Sequence, residues 1–231
     1  MDESNADRSI LDLSVYSNAG LGAIEWASTL RWNTWGCSYF LFSLKVFAKI
    51  QQETYRPKMD KLIIYFHGYG SSKESSKVQW LNKASNSRCI AFDIDIDPTI
   101  SIPKLTHDIT MEILDEPNLD EELIFVGTSL GGWYAAKLAS IFKCGSVIIN
   151  PTINPKTSLL KYGVSSQICN NYSDFEFNED ATYFISLDDE VIDHSGLLLT
   201  LENRKSKLFK SYGGHRFHEN FTLVVDYLSQ N

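Results

Sequence analysis

Residues 123–140 read "LIFVGTSLGGWYAAKLAS" and join two different hydrophobic patterns. An apolar run typical of a buried strand stops at Gly127, and a helical pattern begins within two residues of Ser129. The turn between them, "GTSLG", matches the G-x-S-x-G pattern that exposes a serine hydroxyl at the carboxyl end of a strand. A structural turn with a small residue is the alternative. The flanking strand and helix favour a nucleophile.

Short β-rich runs alternate with helical patterns from Met59 to the C-terminus. The predicted strands are residues 61–66, 88–94, 122–127, 146–150, 181–187 and 206–212. The predicted helices are residues 71–84, 103–115 and 131–142, and a last helix that includes Phe217 and Phe221. Such alternation is typical of β-α-β crossovers in a mostly parallel sheet with helices on both faces. The sequence therefore predicts an α/β domain over residues 59–231, preceded by an extension.

The extension, residues 1–58, does not share this rhythm. It is rich in tryptophan and other aromatic residues but has no clean strand pattern. We expect one or two helices, or an arm that binds a protein partner.

Composition excludes several classes of function. The chain of 231 residues has 21 Lys and Arg against 29 Asp and Glu, so its net charge of −8 argues against nucleic-acid binding. Its four cysteines lie far apart, which favours free thiols over a zinc site or a disulfide framework. The acidic N-terminus lacks the order of a signal peptide, and no apolar run is long enough to span a membrane. We expect a cytoplasmic protein without stable membrane insertion and without a metal or organic cofactor.

A catalytic serine needs an acid and a base, which follow it in the order Ser, acid, His in proteins with this turn. Four acidic residues follow the fifth predicted strand directly. They are Asp188, Asp189, Glu190 and Asp193. Asp189 is preferred over Asp188 because it lies slightly beyond the strand end, where its side chain can reach a histidine. Asp193 precedes a helical pattern, where the N-cap of that helix is an alternative role.

His215 is the preferred base because it follows the sixth predicted strand directly, after two glycines that allow a tight loop. His218 falls at the start of the last predicted helix, where an exposed surface histidine is the ordinary explanation. His194 is too close in sequence to the acid and lies in a different loop. His107 precedes the serine and is expected on a helix surface.

The loop after the first strand, "HGYGSSK", supplies candidates for an oxyanion hole. The backbone N–H groups of Leu130 and Tyr69 are the expected donors to a tetrahedral oxyanion. His67 and Gly68 form an H-G motif in which His67 is expected to support the loop and not to act as a second base. A phosphate-binding loop is disfavoured because the third glycine of the dinucleotide motif and the G-K-[ST] ending are both missing.

Five stretches together resemble the small bacterial YqiA-like esterases. They are "MDKLIIYFHGYGSSKESSK", "FVGTSLGGWYAAKLA", "VIINPTINP", "SLDDEVID" and "GGHRF". The resemblance covers the chain from about Met59 onward and implies the α/β-hydrolase fold. It also implies Ser129 as nucleophile, Asp189 as acid and His215 as base in the hydrolysis of carboxylic esters.

Alternatives remain at the level of function. Thioester hydrolysis, acyl transfer or peptide cleavage would use the same triad, and a binding protein of this fold would not use it. Residues 150–180 have no clear periodicity, so a small lid is expected there. Its Leu159, Leu160, Tyr162 and Phe175 either shape an acyl pocket or cover the edge of the core.

Overall fold

The computed structural model describes residues 61–84, 87–115 and 121–231. The predictions for residues 1–58, a helical extension or a partner-binding arm, lie outside this part of the chain. The described residues include the whole predicted sheet and every candidate catalytic residue.

A single six-stranded sheet has the order β2-β1-β3-β4-β5-β6, and every neighbouring pair is parallel. The strands are β1 (Lys61–Phe66), β2 (Ser87–Ala91), β3 (Glu122–Thr128), β4 (Gly145–Ile149), β5 (Ala181–Ser186) and β6 (Lys207–Ser211). This arrangement confirms the predicted α/β fold class. β2 ends at Ala91, three residues before the predicted end at residue 94. Phe92 and Ile94 lie beyond the paired strand but still pack against the core, and their apolar pattern therefore resembles a continuation of the strand.

Helices connect successive strands. The five longer segments are α1 (Ser76–Leu81), α2 (Pro98–Asp115), α3 (Leu130–Phe142), α6 (Ser195–Asn203) and α7 (Phe221–Gln230). Between β4 and β5 lie the short helices α4 (Pro155–Ser158) and α5 (Ser166–Cys169), with a 3₁₀ turn at Leu159–Tyr162.

The core lies on both faces of the sheet, as β1 shows. All six residues of β1 are buried, and successive side chains point to opposite faces. Leu62 and Ile64 pack in the cluster that contains residues of α2 and α3, whereas Ile63 packs with residues of α1 and α7. Burial of each such side chain contributes about 1.5–3 kcal/mol. An interior strand that is covered on both faces therefore needs a run of apolar and aromatic residues, which β1 has from Leu62 to Phe66.

Helix α2 begins at Pro98, five residues before the predicted start at 103. Asp97 caps it, since the Asp97 carboxylate accepts the Thr99 N–H at 2.9 Å. Leu105 and Ile109 are buried on this helix, but Ile113, at the same four-residue spacing, is 37% exposed. Four-residue spacing advances about 40° beyond a full turn, so the apolar row that starts at Leu105 has drifted off the packed face by Ile113.

The last helix begins at Phe221 and does not include Phe217, contrary to the sequence pattern. Phe217 is buried in the preceding loop with φ +52°, a left-handed conformation that a right-handed helix cannot contain. Phe217 and Phe221 have helical spacing because both side chains pack in the same core cluster, although only Phe221 belongs to the helix.

The segment over residues 150–180 packs partly on the core. Leu159 is buried and Phe175 is half-buried in core clusters, which agrees with the core-covering alternative for these two residues. Leu160 and Tyr162 are exposed. Lid function for this segment stays a prediction.

Candidate active site

Ser129 lies in a strained turn between β3 and α3. Its φ of 55° and ψ of −121° are unfavourable for a residue with a side chain, so neighbouring groups must hold it. The Ser129 N–H donates to the Ile149 carbonyl at 3.0 Å. The Ser129 carbonyl accepts from the N–H groups of Gly132 at 2.9 Å and Thr152 at 3.0 Å. Backbone hydrogen bonds from two directions thus maintain the turn.

Two glycines allow this turn to lie close to the sheet. A Cβ added at Gly127 would lie 2.1 Å from the Gly131 carbonyl oxygen, and one added at Gly131 would lie 2.0 Å from the Phe66 carbonyl oxygen. Both distances are far below a real contact. The G-x-S-x-G spacing is therefore a packing requirement of α3 against β1 and β3.

The structure brings Ser129, Asp189 and His215 together at the carboxyl edge of the sheet. His215 Nε2 lies 3.0 Å from Ser129 Oγ, and His215 Nδ1 lies 2.8 Å from Asp189 Oδ2. Because an ionised carboxylate only accepts, Nδ1 carries the ring proton and Nε2 is left to accept from the serine hydroxyl. The Asp189 side chain is 1% exposed and that of His215 is 16% exposed.

The acids on either side of Asp189 have different partners. Asp188 Oδ1 accepts the backbone N–H groups of Gly213 at 2.8 Å and Gly214 at 3.0 Å. Glu190 Oε2 accepts the backbone N–H of His215 at 2.9 Å. Both therefore brace the histidine loop, and Asp189 alone among the three contacts the imidazole ring.

Hydrogen bonds keep these carboxylates ionised. Burial tends to raise the pKa of Asp189, but donors from His194, His215 and the backbone outweigh it and hold that pKa below its usual range. Hydrogen bonds from Ser186, Gly214 and Gly213 lower the pKa of Asp188 to about 2.

Sequence reasoning set His194 aside, yet it contacts the acid. Its Nε2 lies 2.9 Å from Asp189 Oδ2, the oxygen that also faces His215. Asp189 Oδ1 accepts the N–H groups of Val191 and Ile192, both at 2.8 Å, so the chain turns back on the carboxylate. The sequence signal for this contact is the tendency of an aspartate side chain to accept N–H groups a few residues further on, which makes the chain turn.

Asn150 was also missed. It follows β4 with φ +43° and is fully buried. Its Oδ1 accepts the Ser186 N–H at 2.7 Å, and its Nδ2 donates to the carbonyls of Gly214 and His215, both at 3.1 Å. One amide thus ties β5 to the histidine loop.

The remaining histidines lie apart from this chain of hydrogen bonds. His67 is buried and its Nδ1 lies 2.9 Å from the Gly68 carbonyl oxygen, within the loop that it is predicted to support. His218 is exposed before α7, with its ring 4.7 Å from that of Trp80. His107 is exposed on α2.

Of the two candidate oxyanion donors, Leu130 follows Ser129 directly, and Tyr69 follows Gly68, which packs against Ser129. A Cβ added at Gly68 would lie 3.1 Å from Ser129 Cβ and 3.7 Å from Ser129 Oγ, so this glycine lets the loop pack closely against the serine. Leu130 is the first residue of α3, where helical N–H groups lack partners within the helix. Tyr69 is 46% exposed, and its ring lies 5.6 Å from that of Tyr162, which connects the loop to the segment over residues 150–180.

A small pocket of about 140 Å³ lies beside these groups. It is lined by residues 67–71, 94–96 and Leu130, at the ends of β1 and β3, where the strand order reverses. Ligands of open α/β sheets bind at this position. A larger pocket of about 330 Å³ lies at the opposite edge, lined by Lys61, Glu122 and Gly145 among others, and none of Ser129, Asp189 and His215 lines it.

The described residues contain neither a cluster suited to a metal ion nor a helix suited to a membrane crossing. No group of three or more His, Cys, Asp or Glu side chains there is placed to hold a metal ion. No helix in the same part of the chain has the length and apolarity that a membrane crossing requires.

The sequence profile of the Uncharacterised protein family (UPF0227), the YqiA family, matches residues 62–219. The chain belongs to this family. A UPF0227 protein of Shewanella sediminis is 22% identical over 104 residues, which cover 43% of this chain and 55% of that protein. The chain thus spans about half the length of the curated relatives it matches. The family resemblance predicted from the motifs is confirmed.

Solved structures support the α/β-hydrolase fold. An esterase from Pyrococcus furiosus has a TM-score of 0.58 at 17% identity, covering 75% of this chain and 82% of that one. Est1E from Butyrivibrio proteoclasticus has a TM-score of 0.57 at 13% identity, covering 76% of this chain and 88% of that one. At such identities the likeness shows the fold and leaves activity, cytoplasmic location and partners as predictions.

Proposed function

We propose that the protein is a serine hydrolase that cleaves carboxylic esters through an acyl-enzyme intermediate. The observation that carries this proposal is the continuous hydrogen-bonded chain from Ser129 Oγ through His215 to Asp189, with distances of 3.0 and 2.8 Å. A nucleophile, a base within reach of its proton and an acid that orients the base form a unit that activates serine. The esterases among the structural neighbours support the same chemistry.

Each residue has a defined role in this reaction. Ser129 Oγ attacks the carbonyl carbon while His215 Nε2 takes its proton, and Asp189 stabilises the resulting imidazolium. The backbone N–H groups of Leu130 and Tyr69 stabilise the oxyanion. His215 then returns the proton to the leaving alkoxide, and an ester bond to Ser129 remains.

The second half of the reaction reuses the same groups. Water attacks the acyl carbon and gives its proton to His215, which passes it to Ser129 as the carboxylic acid leaves. No step needs a metal or an organic cofactor. The small pocket beside Leu130, about 140 Å³ and lined by Ile94 and Ile96, suits a short acyl or alcohol group.

Labelling with a fluorophosphonate probe tests the nucleophile. The full-length chain should label once, and Ser129→Ala and His215→Ala should both abolish labelling. Ser166→Ala is the matched control, because Ser166 is an exposed serine at the start of α5 and its variant should label normally. Labelling that persists in folded Ser129→Ala would exclude this nucleophile, and a folded, unlabelled wild type would favour a binding protein.

A substrate panel then separates the chemical alternatives. p-Nitrophenyl esters and acyl-CoA thioesters of matched chain length should be compared by kcat/KM. We expect the oxygen esters to be cleaved faster. Preferential cleavage of the thioesters would identify a thioesterase with the same triad.

A further inference from the structure

His194 is a buried histidine that the reaction steps above do not use. Its side chain is 3% exposed, and its Nε2 lies 2.9 Å from Asp189 Oδ2. Its Nδ1 is buried without a hydrogen-bond partner among the described residues. The imidazole thus has one polar contact, and that contact is the acid of the proposed triad.

The contact with Asp189 determines which ring nitrogen of His194 carries the proton. Asp189 Oδ2 only accepts, so Nε2 must carry the ring proton and donate it. A second proton on Nδ1 would be a buried donor without an acceptor, which is more costly than a buried lone pair. The surroundings therefore favour the neutral ring with its proton on Nε2.

Both oxygens of Asp189 are fully engaged. Oδ1 accepts the N–H groups of Val191 and Ile192, and Oδ2 lies within 2.9 Å of a nitrogen from each of His194 and His215. Because the two imidazoles share one oxygen, a proton donated by His194 draws charge away from the bond to His215. The same contact fixes the rotation of the carboxylate.

We propose that His194 is a positioning residue: it orients Asp189 towards His215 and limits how strongly Asp189 stabilises the His215 imidazolium. Its catalytic consequence depends on the proposed hydrolase function, whereas its effect on the shared carboxylate does not. The hydrogen bond from His194 is the largest of the contacts that hold the pKa of Asp189 below its usual range.

Other charges near the two rings do not change in the test. Asp188 and Glu190 contact the backbone of the histidine loop, and Asp193, next to His194 in the chain, accepts the Ser195 N–H at 2.9 Å. Arg216 follows His215 and is exposed. Because all four stay in place, a difference between variants at position 194 reports the hydrogen bond to Asp189.

Two amide substitutions separate that hydrogen bond from the packing of the ring. The amide nitrogen of His194→Gln can reach the position of Nε2, whereas the shorter His194→Asn cannot. In full-length protein, the pH profile of kcat/KM for p-nitrophenyl acetate should be measured, with melting temperature as the check on folding. Both variants place an amide at position 194, and they differ mainly in that only His194→Gln can donate a hydrogen bond to Asp189 Oδ2.

We expect His194→Asn to move the acidic limb of the profile up by about 0.5 pH unit, because the imidazolium gains a stronger acceptor. Its kcat should fall about tenfold with little change in KM, because the acid is less well oriented. His194→Gln should stay within about twofold of wild type. Equal profiles for folded Asn and Gln variants would overturn the proposal, as would equal losses in both.

Nuclear magnetic resonance of the ring nitrogens tests the proposal without any activity. In the wild type at neutral pH, His194 should be the neutral tautomer with its proton on Nε2, assigned by comparison with His194→Gln. A charged ring or a proton on Nδ1 would overturn the proposal even if His194→Asn fails to fold. An unlabelled, inactive wild type would overturn only the hydrolase function.

Discussion

Removal of the Asn150 side chain should loosen the histidine loop from the sheet. The amide makes three hydrogen bonds, one to the Ser186 N–H and two to the carbonyls of Gly214 and His215. Buried hydrogen bonds contribute about 0.5–1.5 kcal/mol each, so their loss should cost roughly 2–4 kcal/mol of unfolding free energy.

Backbone conformation separates two variants at this position. Asn150 has φ +43°, which glycine adopts freely and alanine does not. Asn150→Gly should therefore show the hydrogen-bond loss alone, and Asn150→Ala should lose about 1–2 kcal/mol more. Asn154→Ala is the matched control, since Asn154 is exposed and makes no side-chain capping bond. It should stay within about 0.5 kcal/mol of wild type.

Urea unfolding followed by circular dichroism measures these differences, and ester hydrolysis measures their consequence. A displacement of His215 by about 1 Å can cost about a hundredfold in rate, so kcat/KM of Asn150→Gly should fall by about that factor. The reasoning is refuted if Asn150→Gly unfolds within 1 kcal/mol of wild type, or hydrolyses esters normally.

Three further outcomes are expected. Gly131→Ala should lower the melting temperature by several degrees, because its Cβ would lie 2.0 Å from the Phe66 carbonyl, whereas Gly145→Ala, with nothing within 4 Å, should leave it unchanged. In Asp188→Asn, the melting temperature should fall less than in the wild type when the pH is lowered. The folded pKa of Asp188 is lowered to about 2, so Asp188 stabilises the fold above its unfolded pKa of about 3.9 and ceases to do so as the pH falls towards 2. In a p-nitrophenyl panel, acetate and butyrate should be cleaved faster than octanoate, and a preference for octanoate would contradict the small pocket as the acyl site.

Periodicity and turn chemistry predicted the strand order in the chain and the position of the serine turn. These features depend on neighbours within a few residues, which the sequence displays directly. The predicted start of α2 at residue 103 was wrong, because the helix begins at Pro98 after the cap at Asp97. Phe217 was wrongly included in the last helix because spacing alone does not reveal a left-handed backbone.

By itself, the sequence determined an α/β chain with a G-x-S-x-G turn and with acids and a histidine after later strands. Tertiary structure decided which of the adjacent acids meets the ring of His215, because that choice depends on how the loops after β5 and β6 approach each other. It also brought His194 onto Asp189 and Asn150 under the histidine loop. Such contacts join residues whose separation along the chain carries no periodic signal, so only the packed sheet reveals them.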